Sequence, residues 1–231
     1  MELAYAFAWY IVFLISVTFH EASHAWAAKR GGDLTAYEGG QVSMNPWPHI
    51  RREPIGMVVI PLISVFVIHW PFGFARTPYD PIWAYNHPRK AGLMAAAGPA
   101  ANLLLFLLAA AGIKAGVAAG FFLQPDSINF RSLVEPASSG IASGLAIFVS
   151  MLFSMNLILF ILNLIPLPPL DGSGVIALFL HDEAARRYKA IISTPIFGII
   201  GLLLAWYVFT PLFQYVFLKV INILYWGANY S

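Results

Sequence analysis

The sequence contains no cysteine, which excludes disulfides and thiolate metal ligands. Any metal ion must therefore be held by histidine or carboxylate. Charge is also scarce: Asp, Glu, Lys and Arg make up 10% of the 231 residues, against about 25% in soluble domains. No polar block of even about fifty residues exists from which a soluble domain could be built. Dense basic tracts are missing too. The formal net charge is only +2, and the basic residues fall in short clusters, so there is no case for a nucleic-acid partner. The first apolar run has no basic leader, carries Glu2 and shows no small-residue cleavage site, so it reads as a transmembrane helix and not a secretory signal. What the chain has is apolar surface, with 59% hydrophobic residues and a mean hydropathy of +0.73. These features specify an all-α polytopic membrane protein, a transmembrane helix bundle in the lipid bilayer, with residues 1–231 forming one membrane-embedded unit.

A first helix is expected from Glu2 to Ala28, ended by Lys29-Arg30 and Gly31-Gly32. Positive charge there predicts that this end faces the cytoplasm. The stretch Tyr37 to Met44 loses helical period and reads as a small β-hairpin turning at Gly39-Gly40. Pro54 to Trp70 is apolar but only about seventeen residues long, the lower limit for a span, and Pro61 interrupts it. Pro71 to Pro88, dense in proline and aromatics, reads as interfacial. Ala91 to Leu123 is the next helical stretch, kinked within Gly98-Pro99-Ala100-Ala101-Asn102. The loop Gln124 to Ser139 has no positive excess and is expected outside. Gly140 to Leu164 is again helical, and three prolines between Asn163 and Asp171 force extended backbone before a carboxylate. His181 to Lys189 is a charged patch expected in the cytoplasm. Residues 194–226 are long enough for one tilted span or for two short ones broken at Pro211.

The least expected stretch is His20-Glu21-Ala22-Ser23-His24, which closes an otherwise uncharged run. One helical turn apart, His20 and His24 share a face and can grip one tetrahedral ion. Glu21 beside them is placed to take a proton from a water at that ion. Burying three such side chains at membrane depth is costly unless they are paired or metal-bound. A catalytic zinc site uses three protein ligands, so a third must come from elsewhere. Asp171 is the best candidate because the prolines before it hold it rigidly; capping the helix that follows is the alternative, and the residues alone leave both open. His49, His69 and His87 lie near loops or span ends, and His181 sits in the charged patch. Asn102 and Asn163 are amides at membrane depth, suited to interhelical hydrogen bonding or to donating to a developing oxyanion.

If they share one ion, His20, His24 and Asp171 lie at one depth. Three apolar stretches separate them, and three full crossings would put Asp171 on the wrong face. Pro54 to Trp70 is therefore expected to dip into the membrane and return.

In their order, His20-Glu21-Ala22-Ser23-His24, Gly98-Pro99-Ala100-Ala101-Asn102 and Asn163 through Leu170-Asp171-Gly172 resemble the motifs of the site-2 protease family of intramembrane zinc metalloproteases. The likeness is to its compact branch without added soluble domains and covers about residues 7–180. It implies one Zn²⁺ per chain on His20, His24 and Asp171, with Glu21 as catalytic carboxylate and Asn102 or Asn163 stabilising the oxyanion. It also implies transmembrane protein substrates, and a strand-accepting edge that the hairpin at Tyr37 to Met44 would supply. The chain departs from the family pattern at Gly73-Phe74-Ala75-Arg76-Thr77-Pro78, where compact members often read Gly-Trp-Ala-Lys-Pro, and Arg51-Arg52 is a basic insertion. Two rival functions are a non-proteolytic membrane scaffold that retains the zinc site, and a metal-ion transporter. An intact Glu21 argues against the first, and convergence of the polar residues on one point against the second.

Overall fold

The computed structural model describes residues 3–228 and 230; Glu2, the expected start of the first helix, lies outside them. Among the described residues, four helices are long and apolar enough to cross a membrane: α1 (Leu3–Gly31), α6 (Pro88–Ala118), α7 (Ile141–Leu164) and α10 (Pro195–Leu224). Between α1 and α6 lie α2 (Thr35–Glu38), α3 (Trp47–Arg52), a π-helical turn at Ile55–Val59, α4 (Ile60–Val67) and α5 (Pro81–Asn86). α8 (Asp171–Val175) and α9 (Asp182–Ile192) join α7 to α10.

α1 runs past Ala28 to Gly31 and stops at Gly32, whose φ of +101° turns the chain. Lys29 and Arg30 occupy its last turn, where positive charge complements the helix dipole. α10 continues through Pro211 as one helix, so the C-terminal apolar region is a single candidate span. α1, α6 and α7 pack against one another. Trp9, Val12, Phe13, Val17, Met151 and Met155 form one buried cluster with Met57 and Val65. Phe106, Ile113, Phe153 and Leu157 form a second with Phe213, Phe217 and Ile221 of α10.

The segment expected to dip and return is a short helix followed by a chain that folds back along it. Ile55–Val67 is a short apolar helical stretch; at about 1.5 Å per residue it extends about 20 Å, short of the ~30 Å hydrocarbon core. Its ladder is π-helical just before Pro61, where a missing N–H and the ring's bulk disturb the regular pattern. From Trp70 the chain comes back extended, and Phe74 N–H donates to the Gly56 carbonyl at 3.1 Å. The crossing requires two glycines. A Cβ on Gly56 would strike the Phe74 carbonyl, and one on Gly73 the Gly56 carbonyl.

A small antiparallel strand pair is present, but it joins β1 (Phe122–Leu123) to β2 (Glu135–Pro136) in the α6–α7 loop, at the opposite end of α6 from the site described below. Tyr37 to Met44 is not the expected hairpin. Asp33 Oδ1 accepts from the Thr35 N–H and hydroxyl and nucleates a helical turn. The two glycines then end that turn: Gln41 N–H donates to Ala36 O and Gly40 N–H to Tyr37 O, with Gly40 at φ +73°. This is a Schellman helix end, whose glycine signal resembles that of a hairpin turn.

Candidate metal centre

Helical period carries His20 and His24 to the face of α1 that meets α6, where both are buried. Their Nε2 atoms stand 3.0 Å apart. Asp171 Oδ2 lies 2.9 Å from the first and 3.2 Å from the second. Adjacent ligand atoms of a tetrahedral zinc site, at bond lengths near 2.05 Å, would be about 3.3 Å apart. The three atoms thus form one slightly compressed face of such a tetrahedron. They are also the one group of three or more potential ligands among the described residues.

The outer nitrogens of both rings are engaged. His24 Nδ1 donates to the Met94 carbonyl at 2.7 Å, and His20 Nδ1 donates to Asn102 Oδ1 at 2.6 Å. Each bond places the ring proton on Nδ1 and leaves the Nε2 lone pair facing the Asp171 carboxylate, the arrangement that metal-ligating histidines need. The donor set, the spacing and the tautomers therefore all fit a zinc ion.

Behind His20 the hydrogen bonds continue. Asn102 Nδ2 donates to Asn156 Oδ1 at 2.9 Å and faces the Ser16 carbonyl at 3.4 Å. Asn156 Nδ2 donates to Ser16 Oγ and to the Leu152 carbonyl, and the Ser16 hydroxyl donates to Val12 O. Asn102, Asn156 and Ser16 are fully buried. Both N–H groups of Asn102 are thus directed away from the metal face, which does not fit the oxyanion donor considered from sequence. Asn163, in the last turn of α7, is half-buried and makes no side-chain hydrogen bond among the described residues.

α6 approaches this closely because it is built of small residues at the contact. A Cβ on Gly98 would clash with both histidine Nε2 atoms, and one on Gly92 would press on Leu178. The Pro166 to Pro169 stretch delivers Asp171 at the first turn of α8. Its carboxylate turns to the imidazoles instead of capping that helix. Gly172 packs against the carbonyls of Leu164 and Ile165, leaving no space for a side chain.

Glu21 is buried next to the ligand face. Its Oε2 accepts from the Thr77 hydroxyl at 2.7 Å, while Oε1 accepts no hydrogen bond among the described residues. The other histidines stay apart. His49 is buried in α3 and donates from Nε2 to Ser43 O, and His87 bonds the Trp83 carbonyl. His69 and His181 are exposed.

Sequence comparison meets this geometry at the same residues. The profile of peptidase family M50 matches residues 8–206, a stretch that holds His20, Glu21, His24, Asn102 and Asp171. The chain belongs to peptidase family M50. This is the site-2 protease family whose motifs the sequence resembles. Among curated relatives, a candidate zinc metalloprotease of Bacillus subtilis, YwhC, is 34% identical over 167 residues, which are 72% of this chain and 66% of YwhC. A second candidate zinc metalloprotease, Rip2, is similar in two mycobacteria. The Mycolicibacterium smegmatis protein is 27% identical over 176 residues, covering 75% of this chain and 57% of Rip2. The Mycobacterium tuberculosis protein is 28% identical over 188 residues, covering 80% and 62%. The chain thus spans less than two thirds of each of these relatives. No solved structure matches it.

Sequence reasoning missed three residues that the structure joins by hydrogen bonds to this cluster: Asn156, Ser16 and Thr77. Ser16 carried a usable signal, since it stands one turn before His20 on the same helical face. Asn156 stands seven residues before Asn163, also on one face. Nothing in the sequence connects Thr77 to Glu21.

Proposed function

We propose that this chain is a zinc-dependent intramembrane endopeptidase that hydrolyses peptide bonds within or near transmembrane segments of other membrane proteins. The observation that carries this reading is the convergence of His20 Nε2, His24 Nε2 and Asp171 Oδ2 within 3.2 Å of one another, beside a buried Glu21. His20 lies eleven residues before the end of α1 at Gly31, about 16 Å along the helix, so the site sits at membrane depth.

His20, His24 and Asp171 would hold one Zn²⁺. Bound there, zinc supplies Lewis acidity, polarising a peptide carbonyl and making water acidic enough to attack it. Glu21 takes the proton of the attacking water on Oε1, the oxygen left open, and returns it to the leaving amine. Asn102 acts behind His20 as a positioning residue, whereas Asn163 keeps free N–H groups for the developing oxyanion. A substrate helix hides its carbonyls in hydrogen bonds, so it must unwind locally before attack.

The cytoplasmic placement of the site rests on charge. Lys29, Arg30, Arg51, Arg52, Arg76, Arg89, Lys90, Arg186, Arg187 and Lys189 belong to elements at the site's end of the bundle, against Lys114, Arg131 and Lys219 toward the other.

The test is cleavage of a single-span membrane protein by the purified chain in proteoliposomes. Chelation should abolish cleavage, and added Zn²⁺ should restore it. Unchanged cleavage by metal-free protein would exclude the reading.

A further inference from the structure

We propose that Thr77 is a positioning residue for Glu21, and that the returning arm of the membrane dip exists in part to deliver its hydroxyl. The inference rests on the reading of Glu21 as the proton carrier. The Thr77 hydroxyl lies 2.7 Å from Glu21 Oε2 and 2.9 Å from the Glu21 main-chain carbonyl. It carries one hydrogen, which bridges two oxygens that would otherwise repel each other. A glutamate side chain gives up rotamer freedom when it is fixed. Fixing Oε2 in this way leaves Oε1 as the single open acceptor, so one oxygen is anchored and the other handles the proton.

The arm that presents Thr77 is held on both sides. Upstream, the Gly56–Gly73 crossing and the bond from Phe74 N–H to Gly56 O fix it to the descending helix. Downstream, Asp80 N–H donates to Asp33 Oδ2 at 2.9 Å, while Asp33 Oδ1 is held by Thr35. Pro78 restricts Thr77 itself to extended backbone. Thr77 therefore reaches Glu21 from a doubly anchored strand, not from a free loop. It also falls within the Gly73 to Pro78 stretch where this chain departs from the pattern that compact members often show.

Because the hydroxyl acts on the carboxylate and not on substrate, its loss should lower kcat and leave KM and metal content unchanged. The experiment measures kcat, KM and zinc per chain for Thr77→Val, Thr77→Ser and Glu21→Gln on one transmembrane substrate in proteoliposomes. Thr77→Val, which keeps the shape and loses the hydroxyl, should cut kcat about ten- to a hundredfold with full zinc. Thr77→Ser, which keeps the hydroxyl, should stay within about threefold of the parent. Unchanged kcat in Thr77→Val, equal losses in both Thr77 variants, or a change confined to KM would each overturn the proposal. Should Thr77→Val not fold, Thr77→Ala replaces it and the serine comparison decides in the same way. Failure of the underlying reading looks different, because Glu21→Gln would then cleave as well as the parent.

Discussion

Replacing Asn102 with Leu separates two roles that the sequence could not distinguish. In the structure Asn102 Oδ1 receives the Nδ1 proton of His20, and its amide donates to Asn156. Leucine is of similar size but leaves two buried groups without partners, His20 Nδ1–H and Asn156 Oδ1. Each orphaned group costs about 1–3 kcal/mol, so the fold should lose roughly 2–6 kcal/mol, less whatever local repacking recovers. Freed of its partner, the His20 ring can rotate or change tautomer, and zinc affinity should fall about 10- to 100-fold, the usual effect of removing such a support. With zinc saturating, kcat should recover most of its value. Had Asn102 been the oxyanion donor, zinc affinity would be unchanged and kcat would fall about 10²–10³-fold. Competition against a chelator of known affinity gives the zinc constant, and cleavage at saturating zinc gives kcat. Unchanged zinc affinity with a hundredfold loss of kcat would refute the positioning role. Asn102→Asp, which keeps an acceptor for His20, should hold zinc better than Asn102→Leu.

Gly98→Ala adds a methyl group that clashes with both Nε2 atoms, so the rings or the helices must shift and zinc content should drop even though no ligand is altered; elemental analysis of the purified variant decides it, and full occupancy would show that the contact yields freely. For topology, single cysteines at Arg52 and Tyr79, exposed positions on either side of the folded-back segment, should label from the same side of sealed vesicles, and this cysteine-free chain offers no background. Labelling from opposite sides would mean that residues 54–70 cross the membrane.

The candidate spans and the His20–His24 pair were legible because both leave local marks. A bilayer demands about twenty apolar residues per helix, and an imidazole pair one turn apart is written directly in His20 and His24. The fold-back after the short apolar helix was expected by parity: Asp171 had to reach His20 and His24, and the shortest apolar stretch was the one too short to span easily. The hairpin expected at Tyr37 to Met44 was misread because Gly39-Gly40 has two uses. Asp33 and Thr35 start a helical turn just upstream, and that choice depends on backbone bonds that composition does not display. The wiring of Asn102 was hidden for a different reason. A buried amide can donate to substrate or to a neighbour, and only the presence of Asn156 and Ser16 across the helix interfaces settles which. Thr77 is the extreme case, because its contact with Glu21 depends on a fold-back of about twenty residues that no periodicity records.

In the proposed reaction one buried carboxylate moves the proton while three other side chains hold the ion. Measuring zinc per chain together with cleavage of one fixed transmembrane substrate, on Glu21→Gln and Asp171→Ala side by side, tests it most directly. Glutamine keeps the size of Glu21 and removes the base, so zinc should stay near one per chain while kcat falls at least about 10²-fold. Asp171→Ala should lose the zinc itself, because His20 and His24 alone hold it poorly. Normal cleavage by Glu21→Gln, or full zinc in Asp171→Ala, would contradict the account.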